Sequence, residues 1–263
     1  MKSLWFLFLW LFLWQPCLLA DTTVVVGQGV ASGGSCDDCS GSTTFSWHME
    51  DLNVATGTPC GCSDGDEDGT ANGGATLSDA QKYDGSKSLL SGNDDYISFA
   101  STNILTMAGE GTVSFYVYVA DWTANTGFTE YWGAKYDADN MISCYSQYDG
   151  SNTDFTFRIE GSNDNLLRTV LDADTSGISA TWIRIMCSWD VNDDAVDSAW
   201  FWVDLDADGV VDEGEYAVTT TGTVGNMTGA STFNIGDSDC YADGDDVSYI
   251  DNFYITNSYQ DSL

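Results

Sequence analysis

The sequence predicts an all-β protein built as a two-sheet antiparallel β-sandwich, and three observations predict it. After the first twenty residues no segment sustains an apolar period of 3.6 over ten residues, so amphipathic helices are not indicated. Short alternating stretches recur instead, as in GTVSFYVYV (111–119), where Val113, Phe115, Val117 and Val119 alternate with Ser114, Tyr116 and Tyr118. Polar turns separate these stretches, and with proline only at Pro16 and Pro59 they rely on Gly, Asn and Asp.

The elements follow in chain order. Residues 1–20 read as a secretory signal peptide: Lys2 opens it, Leu4 to Trp14 is wholly apolar, and Ala20 suits cleavage. That run is far short of the roughly 20 residues a spanning helix needs, so no membrane insertion is expected. Residues 21–43 form an N-terminal arm with one short strand, TTVVV. TFSWHM (44–49) opens a single domain that extends to 257, with a Cys- and Asp-rich insertion at 53–74 and a short tail at 258–263. The strands expected after the insertion are SLLSG, NDDYISFA, GTVSFYVYV, EYWGAKY, NMISCYSQY, DFTFRIE, NLLRTVL, TWIRIMCSW, AWFWVDLD, EYAVTT, STFNIG and VSYIDNFYIT.

Forty-one acidic residues against seven basic ones give a formal charge of −34. Nucleic acid and anionic membrane surfaces repel such a chain and are excluded as partners. Divalent cations and neutral partners such as glycans suit it, and adaptation to a saline habitat explains the acidity equally well. An apolar fraction of 43% with 13% aromatics supplies a sizeable core. Cleavage removes Cys17 and leaves Cys36, Cys39, Cys60, Cys62, Cys144, Cys187 and Cys240, an odd number for an exported protein in which disulfides are the default. Bridges across the N-terminal CDDC and CGC clusters are expected ahead of a Cys₄ metal site. Cys144 and Cys187 each lie in an apolar strand pattern, either bridged or as two small buried hydrophobes.

Several phrases, in this order, resemble the concanavalin A-like jelly roll, in particular its laminin G-like group. They are WHMED (47–51), YDGSKSLLSGNDDYISF (83–99), GTVSFYVYV (111–119), TWIRIMCSWD (181–190), AWFWVDLDADG (199–209) and YIDNFYITN (249–257). The resemblance spans residues 44–257 and implies a jelly roll whose first and last strands are neighbours. Related carbohydrate-binding modules hold a structural calcium there, which here points to Glu50 or Asp51 with Asp251, and to Asp94 and Asp95 on the same rim. The fold hosts lectins, adhesins and glycosidases, so it does not by itself fix a function.

The sharpest chemical signal is DLDADGVVDEGE (204–215). Acids at positions 1, 3, 5 and 9, glycine at 6 and glutamate at 12 match a twelve-residue calcium loop. Asp204, Asp206 and Asp208 would supply carboxylates and Val210 its carbonyl. Asp212 would bind directly or through water, and Glu215 would bind through both oxygens. Composition alone gives this pattern on the order of 0.0002 times in such a chain. Strands flank it in place of helices, which points to a fastened hairpin tip and away from an EF-hand switch. A second DxDxDG, Asp64, Asp66 and Asp68 with Gly69, has Asn72 at position 9 but Ala75 at position 12, so it lacks the closing carboxylate. Asp172, Asp174 and Ser176 before Gly177 are a weaker echo.

Catalysis finds no support in the residues. His48 is the one histidine, and the E-x-D-x-E strand pattern of glycosidases with this fold is absent. Seven tryptophans remain after cleavage, with Trp200 and Trp202 on one strand face, and Tyr116, Tyr118, Tyr131 and Tyr148 are candidates to stack on sugar rings. Asn226-Met227-Thr228 is a glycosylation sequon. The expected function is a secreted, calcium-stabilised, non-catalytic recognition module for a glycan or a cell-surface protein. The alternatives are a self-associating subunit of a surface layer or filament and, behind it, a polysaccharide-active enzyme.

Overall fold

The computed structural model describes residues 43–47, 49, 69–100, 109–124, 127–137, 140–161, 165–178, 180–191, 197–221, 224, 232–237, 247–256 and 258–259. Its strands are β1 (Thr43–Trp47), β2 (Thr70–Asn72), β3 (Thr76–Ser78), β4 (Ser88–Ser91), β5 (Tyr96–Ala100), β6 (Glu110–Val119), β7 (Phe128–Asp137) and β8 (Asn140–Tyr148). They continue with β9 (Thr153–Gly161), β10 (Asn165–Ala173), β11 (Thr181–Asp190), β12 (Asp197–Asp204), β13 (Tyr216–Thr221), β14 (Thr232–Gly236) and β15 (Ser248–Thr256). A 3₁₀ turn, Trp122–Ala124, follows β6.

Two antiparallel sheets result. Sheet A runs β13-β12-β11-β6-β15-β4-β3, with β1 also on β15; sheet B runs β10-β9-β8-β7-β14-β5-β2. The last strand is shared end to end along one edge: Ser248–Ile250 pair with β4, and Phe253–Thr256 pair with β1. Its register against β6 slips between Asp251 and Tyr254, where Asn252 adopts a φ of 48°. The slip marks a β-bulge after Asp251, which bends the strand there. First and last strands are therefore neighbours, as the jelly-roll resemblance implied.

The period of two decides which residues enter the core. Val113, Phe115 and Val117 of β6, Ile183, Ile185 and Cys187 of β11, and Phe155, Phe157 and Ile159 of β9 are all fully buried between the sheets. Aromatic rings fill the middle: Trp132 lies 6.4 Å from Trp189 and 6.2 Å from Phe157. Trp189 faces Gly111 across the β11–β6 pair, and a Cβ on Gly111 would stand 2.4 Å from its indole. Only glycine fits there. No helix among the described residues is long and apolar enough to cross a membrane.

Two short strands, β2 and β3, extend the sheets beyond the expected set. The end of the polar insertion is thus part of sheet B, where Asn72 Nδ2 donates to Thr70 O at 2.8 Å and Ser98 Oγ at 2.9 Å.

Candidate metal centre and the outer face of sheet A

β12 ends at Asp204 and β13 begins at Tyr216, so the acidic motif forms the connection between two paired strands. Left-handed backbone at Ala207 (φ 60°), Gly209 (φ 78°) and Gly214 (φ 98°) makes the turns. Asp204 is buried while Asp206 and Asp208 are exposed, and one ligand oxygen from each lies within 4.8 Å of the others. Asp204 Oδ1 and Oδ2 accept the amides of Asp208 (3.1 Å) and Gly209 (3.0 Å). Asp206 Oδ1 also accepts the Asp208 amide, at 3.3 Å, and Asp208 Oδ1 accepts that of Val210, at 2.7 Å. Burial lifts the Asp204 carboxyl to about 6; the Glu215 and Asp206 charges add to this, and the two amides oppose it. Three converging carboxylates with hard oxygen donors fit a divalent cation, whose charge would offset their repulsion.

The remaining loop residues take other places. Glu215 is buried, and its Oε1 and Oε2 accept the amides of Leu205 (2.8 Å) and Asp212 (3.3 Å). It ties the two limbs of the loop together directly, and neither it nor Asp212 belongs to the converging group. Val210 is exposed. Asp64, Asp66, Asp68, His48, Glu50, Asp51, Asn226, the signal segment and the N-terminal cysteines lie outside the described residues.

The rim around Asp251 is hydrogen-bonded to backbone. Asp251 is fully buried, with Oδ2 accepting the amides of Tyr83 (2.9 Å) and Asp84 (3.2 Å) and Oδ1 that of Asn252 (2.8 Å). Asp95 Oδ1 accepts the Gly74 amide. Asp174 Oδ1 accepts the Ser176 amide in a local turn; the Ser176 hydroxyl first, and then this amide, lower the Asp174 pKa.

The tryptophans divide. Trp47, Trp122, Trp132 and Trp189 are in the core. Trp200 and Trp202 point the other way, onto the outer face of sheet A, yet they are buried there with Met186 under Val211 and Tyr259. Tyr131 is a core residue whose hydroxyl meets Ser146 Oγ at 2.6 Å, and Tyr148 is half-buried on β8. The outer face of sheet A is aromatic beside the acidic loop. Tyr249, Tyr118 and Trp182 are register partners across β15, β6 and β11, with ring centroids 5.9 and 5.7 Å apart. One row on, Asp251, Tyr116, Arg184 and Asp204 stand side by side. Tyr83 stacks on Tyr116 at 3.6 Å, and Arg184 lies 5.8 Å from the Tyr116 ring centroid and 5.7 Å from that of Trp202. Tyr116, Tyr118, Trp182 and Tyr249 are half-exposed and Tyr83 is exposed. Sequence reading named Tyr116 and Tyr118 and counted Trp182 among the seven tryptophans without singling it out; it missed Tyr249, although that residue occupies an outward position of the alternation. Tyr83 sits in a turn and carried no signal.

No family model matches the chain. No curated protein sequence matches it either. Solved structures do. The binding domain of botulinum neurotoxin serotype C1 superposes with a TM-score of 0.58 at 12% identity over 84% of this chain, and the chain spans 50% of that domain's length. The receptor-binding domain of botulinum neurotoxin type G gives 0.54 at 9% identity, covering 84% of this chain and 49% of that one. Domain 4 of AbnA, a GH43 extracellular arabinanase from Geobacillus stearothermophilus solved with arabinotriose, gives 0.54 at 15% identity, covering 83% of this chain and 93% of the other. At these identities the likeness shows the fold: an all-β, two-sheet antiparallel sandwich of the concanavalin A-like, jelly-roll kind.

Proposed function

We propose that the protein is a secreted, non-catalytic recognition module whose β12–β13 hairpin is fastened by calcium and whose ligand is a carbohydrate. The observation that carries this reading is the convergence of Asp204, Asp206 and Asp208 beside a half-exposed aromatic face. Calcium takes the three carboxylates, with the Val210 carbonyl and Asp212 completing the shell. Glu215 joins by exchanging its two amide bonds for the ion. Asp64, Asp66 and Asp68 form a second, weaker calcium loop. Tyr118, Trp182 and Tyr249 offer ring faces on which sugar rings stack, and a glycan pays no electrostatic penalty against a net charge of −34. The arabinotriose complex of AbnA domain 4 and the binding-domain role of the toxin relatives support it by analogy of fold.

A glycan array read with calcium and with chelator tests the function. Saccharide binding that Trp182→Ala abolishes supports it, and a folded protein that binds no saccharide sinks it. The metal claim is tested separately by melting: calcium at a hundred times its dissociation constant should stabilise by about 2.7 kcal/mol. Equal midpoints in EDTA and millimolar calcium would dispose of it.

One observation favours assembly as the second reading. β10 and β13 are the outer strands of their sheets, and they carry exposed Leu166, Val170, Tyr216 and Val218. Such edges are templates for another chain. A sedimentation coefficient that rises with concentration would favour this reading over the first.

A further inference from the structure

Cys144 lies in β8 of sheet B and Cys187 in β11 of sheet A, so a link between them would join the two layers through the middle of the core. Both are fully buried free thiols in this structure, 3.5 Å apart, in contact but not bonded. Cys144 is flanked in register by Trp132 and Phe157, and Cys187 by Val113 and Phe201, each fully buried. The residues facing the pair are apolar, so the thiols answer to each other; Glu130 acts on Cys144 only as a nearby charge.

We propose that Cys144 and Cys187 form an inter-sheet disulfide in the exported protein, closed while the two sheets are still docking. The reaction is thiol–disulfide exchange with an external disulfide, either a small-molecule disulfide or that of an exchange enzyme. One cysteine thiolate attacks and forms a mixed disulfide, expelling the first thiol of the oxidant. The second cysteine displaces the other. The two cysteines lose two electrons and two protons, and the oxidant leaves as two thiols. The order of events follows from the burial. In the finished fold, desolvation holds the Cys144 thiol well above the ordinary range and the Cys187 hydrogen bond adds to this, so no nucleophilic thiolate is available and no reagent reaches the pair. The bridge is therefore made before the core closes and is resistant to reductant afterwards. Once the leader carrying Cys17 is cleaved, the other cysteines number five, all within Cys36–Cys62 or at Cys240, so the unpaired thiol falls among them.

The test refolds the reduced full-length chain in a glutathione redox buffer, alkylates it in denaturant and maps peptides without reduction. A peptide linking Cys144 to Cys187 in the folded fraction, with a thermal midpoint on the order of 10 °C above that of the chain refolded with reductant, is expected. Two separately alkylated cysteines in a folded, oxidised chain overturn the proposal, as does either cysteine joined to another partner. A Cys144→Ala, Cys187→Ala variant gives a second reading: its oxidised and reduced midpoints should lose most of their difference. If that variant fails to fold, the peptide map of the unaltered chain decides.

Discussion

The buried carboxylate of Asp251 accepts the backbone amide of Tyr83 at 2.9 Å, across 168 residues of sequence. It accepts that of Asp84 as well, so the turn after β3 is pinned to the last strand. The same contact sets Tyr83 over Tyr116 and so completes the aromatic face. Asp251→Ala leaves both amides without this acceptor and should cost about 3 kcal/mol, read as a shift in urea midpoint at constant slope. Asp251→Asn keeps one acceptor oxygen and should cost less. Equal stability of the alanine variant and the parent would show that this link is dispensable.

The acidic loop separates two roles that a calcium motif usually combines. Asp206 is exposed and its carboxylate accepts only one local amide, so Asp206→Asn should leave the metal-free midpoint within about 0.5 kcal/mol of the parent. It should remove most of the stabilisation by calcium. Glu215 closes the loop through Leu205 and Asp212, so Glu215→Ala should cost about 1–2 kcal/mol even in EDTA. Calorimetric melting of the three proteins with and without calcium distinguishes these outcomes. Full calcium stabilisation of Asp206→Asn would remove that residue from the ligand set.

Asp154 and Asp172 face each other directly across β9 and β10. Burial raises the Asp154 pKa, and repulsion from Asp172 and then Asp149 adds to it, against a lowering by Arg168. An acid that ionises less readily in the fold than in the unfolded chain costs stability once it ionises. The stabilising difference is thus fully present below the unfolded pKa and is lost as pH rises through the raised folded value. Asp172→Asn relieves part of this loss and should gain about 0.5 kcal/mol at pH 7, a gain that vanishes near pH 3. A gain independent of pH would assign the effect to strand propensity instead.

The strands of the sandwich were legible because alternation and burial obey the same period. Val113 to Val119 and Ile183 to Trp189 enter the core as their spacing requires. β2 and β3 were not legible: three residues each, Thr70–Asn72 and Thr76–Ser78 hold their places through pairing with β5 and β4 and bury little of their own. In the first half of the acidic motif, Asp204, Asp206 and Asp208 come together as a group able to hold a divalent cation. Glu215 shows what spacing omits, since a carboxylate at position 12 serves backbone amides as readily as an ion. Trp200 and Trp202 show a second limit. Alternation places them outward, but the cover that buries them, Val211 and Tyr259, comes from a loop and the chain's end. No local pattern announces such a tertiary lid.

Two threonines of β9 isolate what a partner is worth to a buried hydroxyl. Thr153 and Thr156 are both fully buried, three residues apart on one strand. Thr153 Oγ1 meets Thr175 Oγ1 at 2.7 Å, whereas Thr156 Oγ1, lying between Tyr145 and Val170, has no hydrogen-bond partner. Valine matches threonine in shape and strand preference and differs in lacking the hydroxyl. Thr156→Val removes a desolvated, unsatisfied group and should stabilise by about 1 kcal/mol. Thr153→Val strands the Thr175 hydroxyl and should destabilise by about the same amount. Strand, burial and substitution are shared, while residues three apart lie on opposite faces of the strand, so opposite signs in the two urea midpoints point to the partner. Destabilisation of equal size at both sites would mean that Thr156 is satisfied by a bound water, and the water should then be visible at high resolution beside Oγ1.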